Sequence, residues 1–369
     1  MTEARRIIDF EPEARPVLLT VVHTEEEFDW SKPFDRNSTA VTHLGELGRI
    51  QEIFARRDVS ATYMVDYPVA SDRTAAAALN AVASAGRTMI GAHLHPWVTP
   101  PFVETVCPHN SYPGNLPRSL ERAKLEELTT CIERSFGHRP TAYLAGRYGF
   151  GERSLSVLQE LGYRLDLSAV ALGDFRADGG PDFRAYDSRC FWEGTPPVLR
   201  IPHSSADVGF LCRNARRLVD AGRNEAMRRL RVPGALSRLG AVRRVRLTPE
   251  GFSLRDLVAA VRVLIAAGIR ILVFSFHSPS LSPGFTPYVR DWHDRDDFLS
   301  RIDKFLKFFR EDCDGRFLLP DAVLAAASRT VRPQILHCGA DPEPGGLPFD
   351  GVAGDQTSNL SELRGDRRR

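Results

Sequence analysis

Apolar and polar positions along this chain fall into two alternating rhythms. Short β-branched runs, such as "VLLTVV" at 17–22 and "ILVFSF" at 271–276, are followed by longer stretches in which apolar side chains recur every three or four residues. The first rhythm suits strands buried on both faces, and the second suits amphipathic helices. Their alternation marks βα units around a parallel sheet or barrel. The pattern predicts strands near Val17–Val22, Ser60–Val65, Thr88–His95, Thr141–Ala145, Tyr163–Ser168, Val198–Pro202 and Arg270–His277. Helices are predicted near Leu44–Arg57, Ala75–Ala85, Pro117–Phe136, Glu152–Leu161, Leu254–Ala267 and Asp294–Glu311. Seven strands with helical crossovers make the expected fold α/β, a βα barrel either complete or incomplete.

The rhythm breaks in four places. Residues 97–116 and 170–197 read as long loops, which in a compact domain are usually either functional or disordered. Between Arg213 and Arg246 eleven arginines face only Asp220 and Glu225, with leucines at roughly helical spacing, so a basic amphipathic helical insertion is expected. A solvated charged face explains such a run in most cases; docking to an anionic membrane surface is the sharper alternative. The segment 333–369 is rich in Pro, Gly and polar residues and is expected to be a disordered tail. The remainder, 1–332, is expected to be one domain.

Charge and cysteine usage narrow the function. With 49 basic and 47 acidic residues, the formal charge of +2 gives no electrostatic case for nucleic-acid binding. The six cysteines are widely spaced with no C-x-x-C pair, which argues against a zinc knuckle or a disulfide framework and for a reducing cytoplasm. The opening residues contain no apolar run suited to a secretion leader, and nowhere are there about 18 uninterrupted apolar residues. A small or neutral partner is expected.

In a parallel barrel, functional groups collect where the strands end. The first strand runs into "HTEEEFDW", placing His23 and Glu25 two residues apart and hence on one face. The third ends in His93 and His95 with the same spacing, the fourth is followed by Arg147, the fifth carries Asp166, and the last ends in His277. Two histidines on one strand face with a carboxylate from a neighbouring strand make a three-ligand set with room for water, as in catalytic metal sites. Singly, each has an ordinary explanation: a rim histidine bonded to backbone, a solvated acidic turn at Glu25–Glu27, an ion-paired Arg147. Five strand ends agreeing is what favours metal. In the long loop, Trp97, Tyr112 and Asn115 would suit stacking on a sugar ring and bonding its hydroxyls, although they could equally pack the loop down.

The segments "LLTVVHTEEEFDW", "IGAHLHPW", "AGRYGFG", "YRLDLS" and "FSFHS", in that order, resemble the five motifs of the polysaccharide deacetylase superfamily, the NodB-homology fold related to carbohydrate esterase family 4. The likeness is greatest to a bacterial branch that writes its first motif D-T-E-E-E and its second H-L-H-P-W, and it spans roughly residues 16 to 330. It implies a distorted seven-stranded (β/α) barrel and a divalent metal, zinc first, that activates water to remove an N-acetyl group from a sugar or oligosaccharide. It further implies Glu25 and His93 as ligands, Arg147 as support for a catalytic aspartate, Asp166 as support for the final histidine, and His277 as the general acid. The second histidine of better-studied branches falls at Trp97 here, so His95 takes its place.

The position of the expected aspartate base is His23. An imidazole can act as a base near neutral pH, yet an arginine placed to hold a carboxylate would disfavour its protonated form. Three readings of His23 stay open: a working base, an additional metal ligand, or a lost base on a carbohydrate-binding or regulatory protein of the same fold. A hydrolase acting on another C–N bond is a further alternative, since fold does not fix substrate.

Overall fold

The eight residues Val17–Thr24 form a strand in which every side chain is buried. Their alternation sorts them between two cores: Leu18 and Val22 join the cluster beneath the helices, whereas Val17, Leu19 and Val21 join a second cluster inside the curled sheet. The same alternation carries His23 to the inner side, at the strand's C-terminal end. The structure is a computed structural model that describes residues 5–11, 13–84, 86–209 and 243–330.

In chain order the strands are β1 (Arg6–Ile7), β2 (Val17–Thr24), β3 (Ala61–Val65), β4 (Thr88–Leu94), β5 (Ala142–Ala145), β6 (Leu165–Asp166), β7 (Phe191–Glu193), β8 (Val198–Arg200), β9 (Ser205–Val208), β10 (Arg243–Arg246), β11 (Ile271–His277) and β12 (Arg316–Phe317). The helices are α1 (Leu47–Arg57), α2 (Tyr67–Ser71), α3 (Arg73–Ala83), α4 (Arg118–Phe136), α5 (Ser154–Glu160), α6 (Leu254–Ala266), α7 (Trp292–Glu311) and α8 (Pro320–Thr330). Seven of the strands, β11-β2-β3-β4-β5-β6-β8, run parallel as neighbours. These are the seven the hydrophobic pattern predicts, each within a few residues of its expected bounds. Antiparallel β7 and β1 extend the sheet beyond β8.

Between β8 and β11 no strand ladder closes the barrel among the described residues. Single hydrogen bonds span the seam instead: Val273 N–H to Ser204 Oγ and Ser275 N–H to the Leu247 carbonyl. The distortion follows from the chain's path, because β9 and β10 leave the barrel after β8 and pair only with each other. The expected basic insertion lies mostly in 210–242, outside the described residues; its last four residues are strand β10. The segment 333–369 also lies outside them.

Helix starts follow local capping chemistry. Asp66, Asp72 and Asp291 cap α2, α3 and α7, each side chain accepting a backbone N–H three residues on, and Ser253 and Asp256 form a reciprocal capping box on α6. One helix, α8, plays an unexpected part. Its Val323, Leu324 and Ala327 belong to the inner cluster with Val17, Met89 and Ile271, all near strand starts, so α8 stops the end of the barrel opposite His23.

Candidate metal centre and active-site cavity

The strand ends open into a cavity of about 310 Å³ whose lining includes His23, Glu25, His93, His95, Arg147 and His277. Three strands of the sheet, β2, β4 and β11, supply its floor. Glu25 follows β2, His93 and His95 flank the end of β4, and His277 ends β11 in register beside His23.

Glu25, His93 and His95 place one ligand atom each within 4.8 Å of one another. Glu25 Oε2 is 3.2 Å from His93 Nε2 and 3.6 Å from His95 Nε2. The outer nitrogen of each ring is held from behind: His93 Nδ1 lies 3.0 Å from the Leu144 carbonyl, and His95 Nδ1 lies 2.7 Å from Glu26 Oε2. A carbonyl only accepts, so His93 carries its proton on Nδ1 and turns the Nε2 lone pair inward. Burial lowers the pKa of both rings and keeps them neutral, as metal ligands must be. Burial alone would raise Glu25, but the neighbouring histidines, His277 first, outweigh it and hold the carboxylate at about 2. A carboxylate between two neutral, oriented imidazoles fits a divalent cation of the zinc class.

The three glutamates of the first motif have three fates. Glu25 faces the cavity. Glu26, fully buried, anchors His95 and accepts the Trp97 indole N–H at 2.8 Å. Burial raises both it and Asp66, whose carboxyls lie together, so the pair retains a proton. Glu27 turns away and accepts the Thr42 hydroxyl and the His43 backbone N–H. Close packing supports the same region: a Cβ on Gly146 would come within 2.4 Å of the Leu94 carbonyl and 2.6 Å of His95 Cδ2, so only glycine lets the chain leaving β5 pass behind His95.

His23 sits among rings, with centroids 4.7 Å from His277, 5.3 Å from His93 and 5.4 Å from His203. Its Nε2 is buried and has no hydrogen-bond partner. Burial, reinforced by the neighbouring histidines, depresses its pKa well below the ordinary value, so the ring is neutral and weakly basic. His277 behaves oppositely. Burial would lower it, but Glu250 and Glu25 raise it to about 9.

Several expected contacts differ. Arg147 donates to Ser111 Oγ at 2.7 Å, lies 3.5 Å from Asp178 and stacks on Tyr112 at 4.1 Å; His23 is not among its partners. Arg147 and Tyr148 have φ of 53° and 60°, a left-handed pair of non-glycine residues directly after β5 and a local strain of the kind found at functional sites. Asp166 does not support His277: it is bound by Arg200 at 2.8 Å, opposite it in the β6–β8 register, and by the Ser168 hydroxyl at 2.5 Å. Glu250, which the sequence reading missed, holds His277 Nδ1 at 2.7 Å. Asn115 is not in the cavity wall and donates to the carbonyls of His109 and Gly179. Trp97 lines the cavity but is nearly fully buried and stacks on His95 at 4.3 Å, so little of its face is open to a sugar ring. Trp30, stacked on Phe28 and in edge contact with His277, is the exposed aromatic of the lining.

No family model matches the chain, and no curated protein matches it in sequence. Solved structures do resemble it. Puue allantoinase superposes with a TM-score of 0.52 at 16% identity, covering 86% of this chain and 91% of that one. A probable polysaccharide deacetylase from Pseudomonas aeruginosa PAO1 gives 0.50 at 16% identity, covering 86% and 92%. The 4-alpha-glucanotransferase from Thermococcus litoralis also gives 0.50, at 11% identity, but over only 40% of its length. With its seven parallel strands and open seam, the chain adopts the polysaccharide deacetylase fold.

Proposed function

We propose that the protein is a metal-dependent hydrolase that removes an N-acetyl group from a sugar or oligosaccharide in envelope or exopolysaccharide metabolism. The observation that carries this reading is the trio Glu25, His93 and His95, with each imidazole aligned from behind, at the floor of a cavity with an aromatic rim. A divalent cation held there, zinc first among candidates, would polarise the amide carbonyl and lower the pKa of an attacking water.

The chain's own groups supply the rest. Trp30 offers an apolar face for a sugar ring, with Tyr112 and Arg147 further along the wall. His277, kept protonated by Glu250, is suited to deliver a proton to the departing nitrogen. His23 stands where a base is needed, and its buried, neutral ring can accept a proton only reluctantly. That reluctance favours a second reading, a binding protein on the same fold with little turnover. The free cysteines Cys107, Cys131, Cys190 and Cys313 support a reducing, cytoplasmic setting.

Elemental analysis of protein purified without chelator, paired with acetate release from a panel of N-acetylated sugars, tests both readings. Metal with acetate release supports the hydrolase. Metal with saturable sugar binding and no acetate supports the binding protein, and absence of metal overturns the hydrolase.

A further inference from the structure

Glu25 belongs to a second trio. One ligand atom each from His23, Glu25 and His277 also lie within 4.8 Å of one another, and these five side chains divide into two trios sharing Glu25 rather than forming one larger group. Glu25 Oε2 is the oxygen turned to His93 and His95, and a carboxylate has a second oxygen with which to bridge to another cation. A shared carboxylate with histidines on both flanks is the arrangement of two-metal sites, whose ions sit about 3.5–4 Å apart.

Two independent observations point to a ligand here. His23 Nε2 is a buried nitrogen with nothing to bind, in a residue only 3% exposed, and an orphaned buried polar atom is costly unless something satisfies it. His277 is oriented as metal-bound histidines are: its Nδ1 is fixed by a carboxylate at 2.7 Å, which leaves Nε2 as the free nitrogen. A third trio, Glu26, Asp66 and His95, lacks such a vacancy. Its carboxylates are taken up by Trp97, by the Glu26 and Val69 backbone N–H groups and by His95 itself.

We infer a second divalent-cation position, held by His23, Glu25 and His277 and bridged through Glu25 to the position held by His93 and His95. His23 is then a ligand in place of a base. The inference rests on the proposed hydrolase reading for the first position and adds to it: a cation on His277 Nε2 occupies the lone pair that would otherwise carry the proton for the leaving nitrogen. Filling the second position therefore opposes the acid step, and excess metal becomes an inhibitor.

The test is metal stoichiometry with Mn(II) and Zn(II), by equilibrium dialysis and elemental analysis, on the full chain and on His23→Ala and His93→Ala. The wild type is expected to bind about two cations, and His23→Ala about one. Wild-type protein with two Mn(II) should show an exchange-coupled paramagnetic resonance spectrum in place of the six-line signal of an isolated ion. One cation in the wild type, retained in His23→Ala and lost in His93→Ala, overturns the second position and leaves the first standing. Two cations with uncoupled spectra, or two in both wild type and His23→Ala, also overturn it. No cation at all overturns both. Should His23→Ala fail to fold, the wild-type spectrum alone decides.

Discussion

Glu250 gathers the end of β11 through three hydrogen bonds. Its Oε2 lies 2.7 Å from His277 Nδ1, while its Oε1 accepts the His277 backbone N–H at 3.0 Å and the Ser280 hydroxyl at 2.7 Å. Removing the carboxylate leaves buried donors unmatched. Glu250→Ala is therefore expected to lower unfolding stability by about 1–3 kcal/mol, read by chemical denaturation. Acetate release at pH 7 should fall roughly 10–100-fold, as when a histidine loses its orienting partner. Unchanged activity would show that His277 acts without this support.

His23 is a poor base because its surroundings favour the neutral ring so strongly. His23→Asp places a carboxylate beside His277, whose charge favours an ionised neighbour. General-base assistance is worth about a hundredfold to ten-thousandfold, so acetate release should rise by an amount within that range. Wild type and variant both inert with one cation bound per chain would favour the binding-protein reading.

Glu121 offers a pH test far from the cavity. Burial lifts its carboxyl to about 7, and the Ser154 hydroxyl bond only partly offsets this. Because the folded-state value lies above the unfolded one, the folded chain binds the proton more tightly, and stability falls as pH rises from about 4.5 through about 7. Glu121→Gln removes the titration. It should be near neutral at pH 5 and stabilising by about 1–3 kcal/mol at pH 8. Denaturation at the two pH values reads the difference, and equal effects at both would refute the buried-carboxyl account.

Trp30 is placed to meet substrate rather than to hold the fold, since it is 39% exposed and lines the cavity. Trp30→Ala is expected to raise KM about fivefold to tenfold, roughly the contribution of one aromatic face, with kcat little changed and the melting temperature unmoved. A loss confined to kcat would show instead that the indole positions His277, which it touches edge-on.

Much of the centre was legible because it sits where an apolar run stops. The period of two that sends Leu19 and Val21 inward also sends His23, and the same rule pairs His93 with His95. Partnerships set by pairing between strands were not legible. Asp166 is claimed by Arg200 because β6 and β8 are neighbours in that register, and no local pattern specifies that two separated segments will align so. Glu250 lies in an irregular stretch between β10 and α6, where no periodicity marks it. The two-residue strands β1 and β12 are too short to carry a rhythm, and β9 and β10 lie outside the barrel's parallel frame.

The plug made by α8 has a consequence for traffic. With Val323, Leu324 and Ala327 packed into the barrel's far end, the chamber is blocked at that end among the described residues, and the doorway lies past Trp30. A long polymer cannot thread through such a barrel. On the proposed hydrolase reading, a polymeric substrate would present one residue at a time from the side or the end, and each product would back out before the next acetyl group came in.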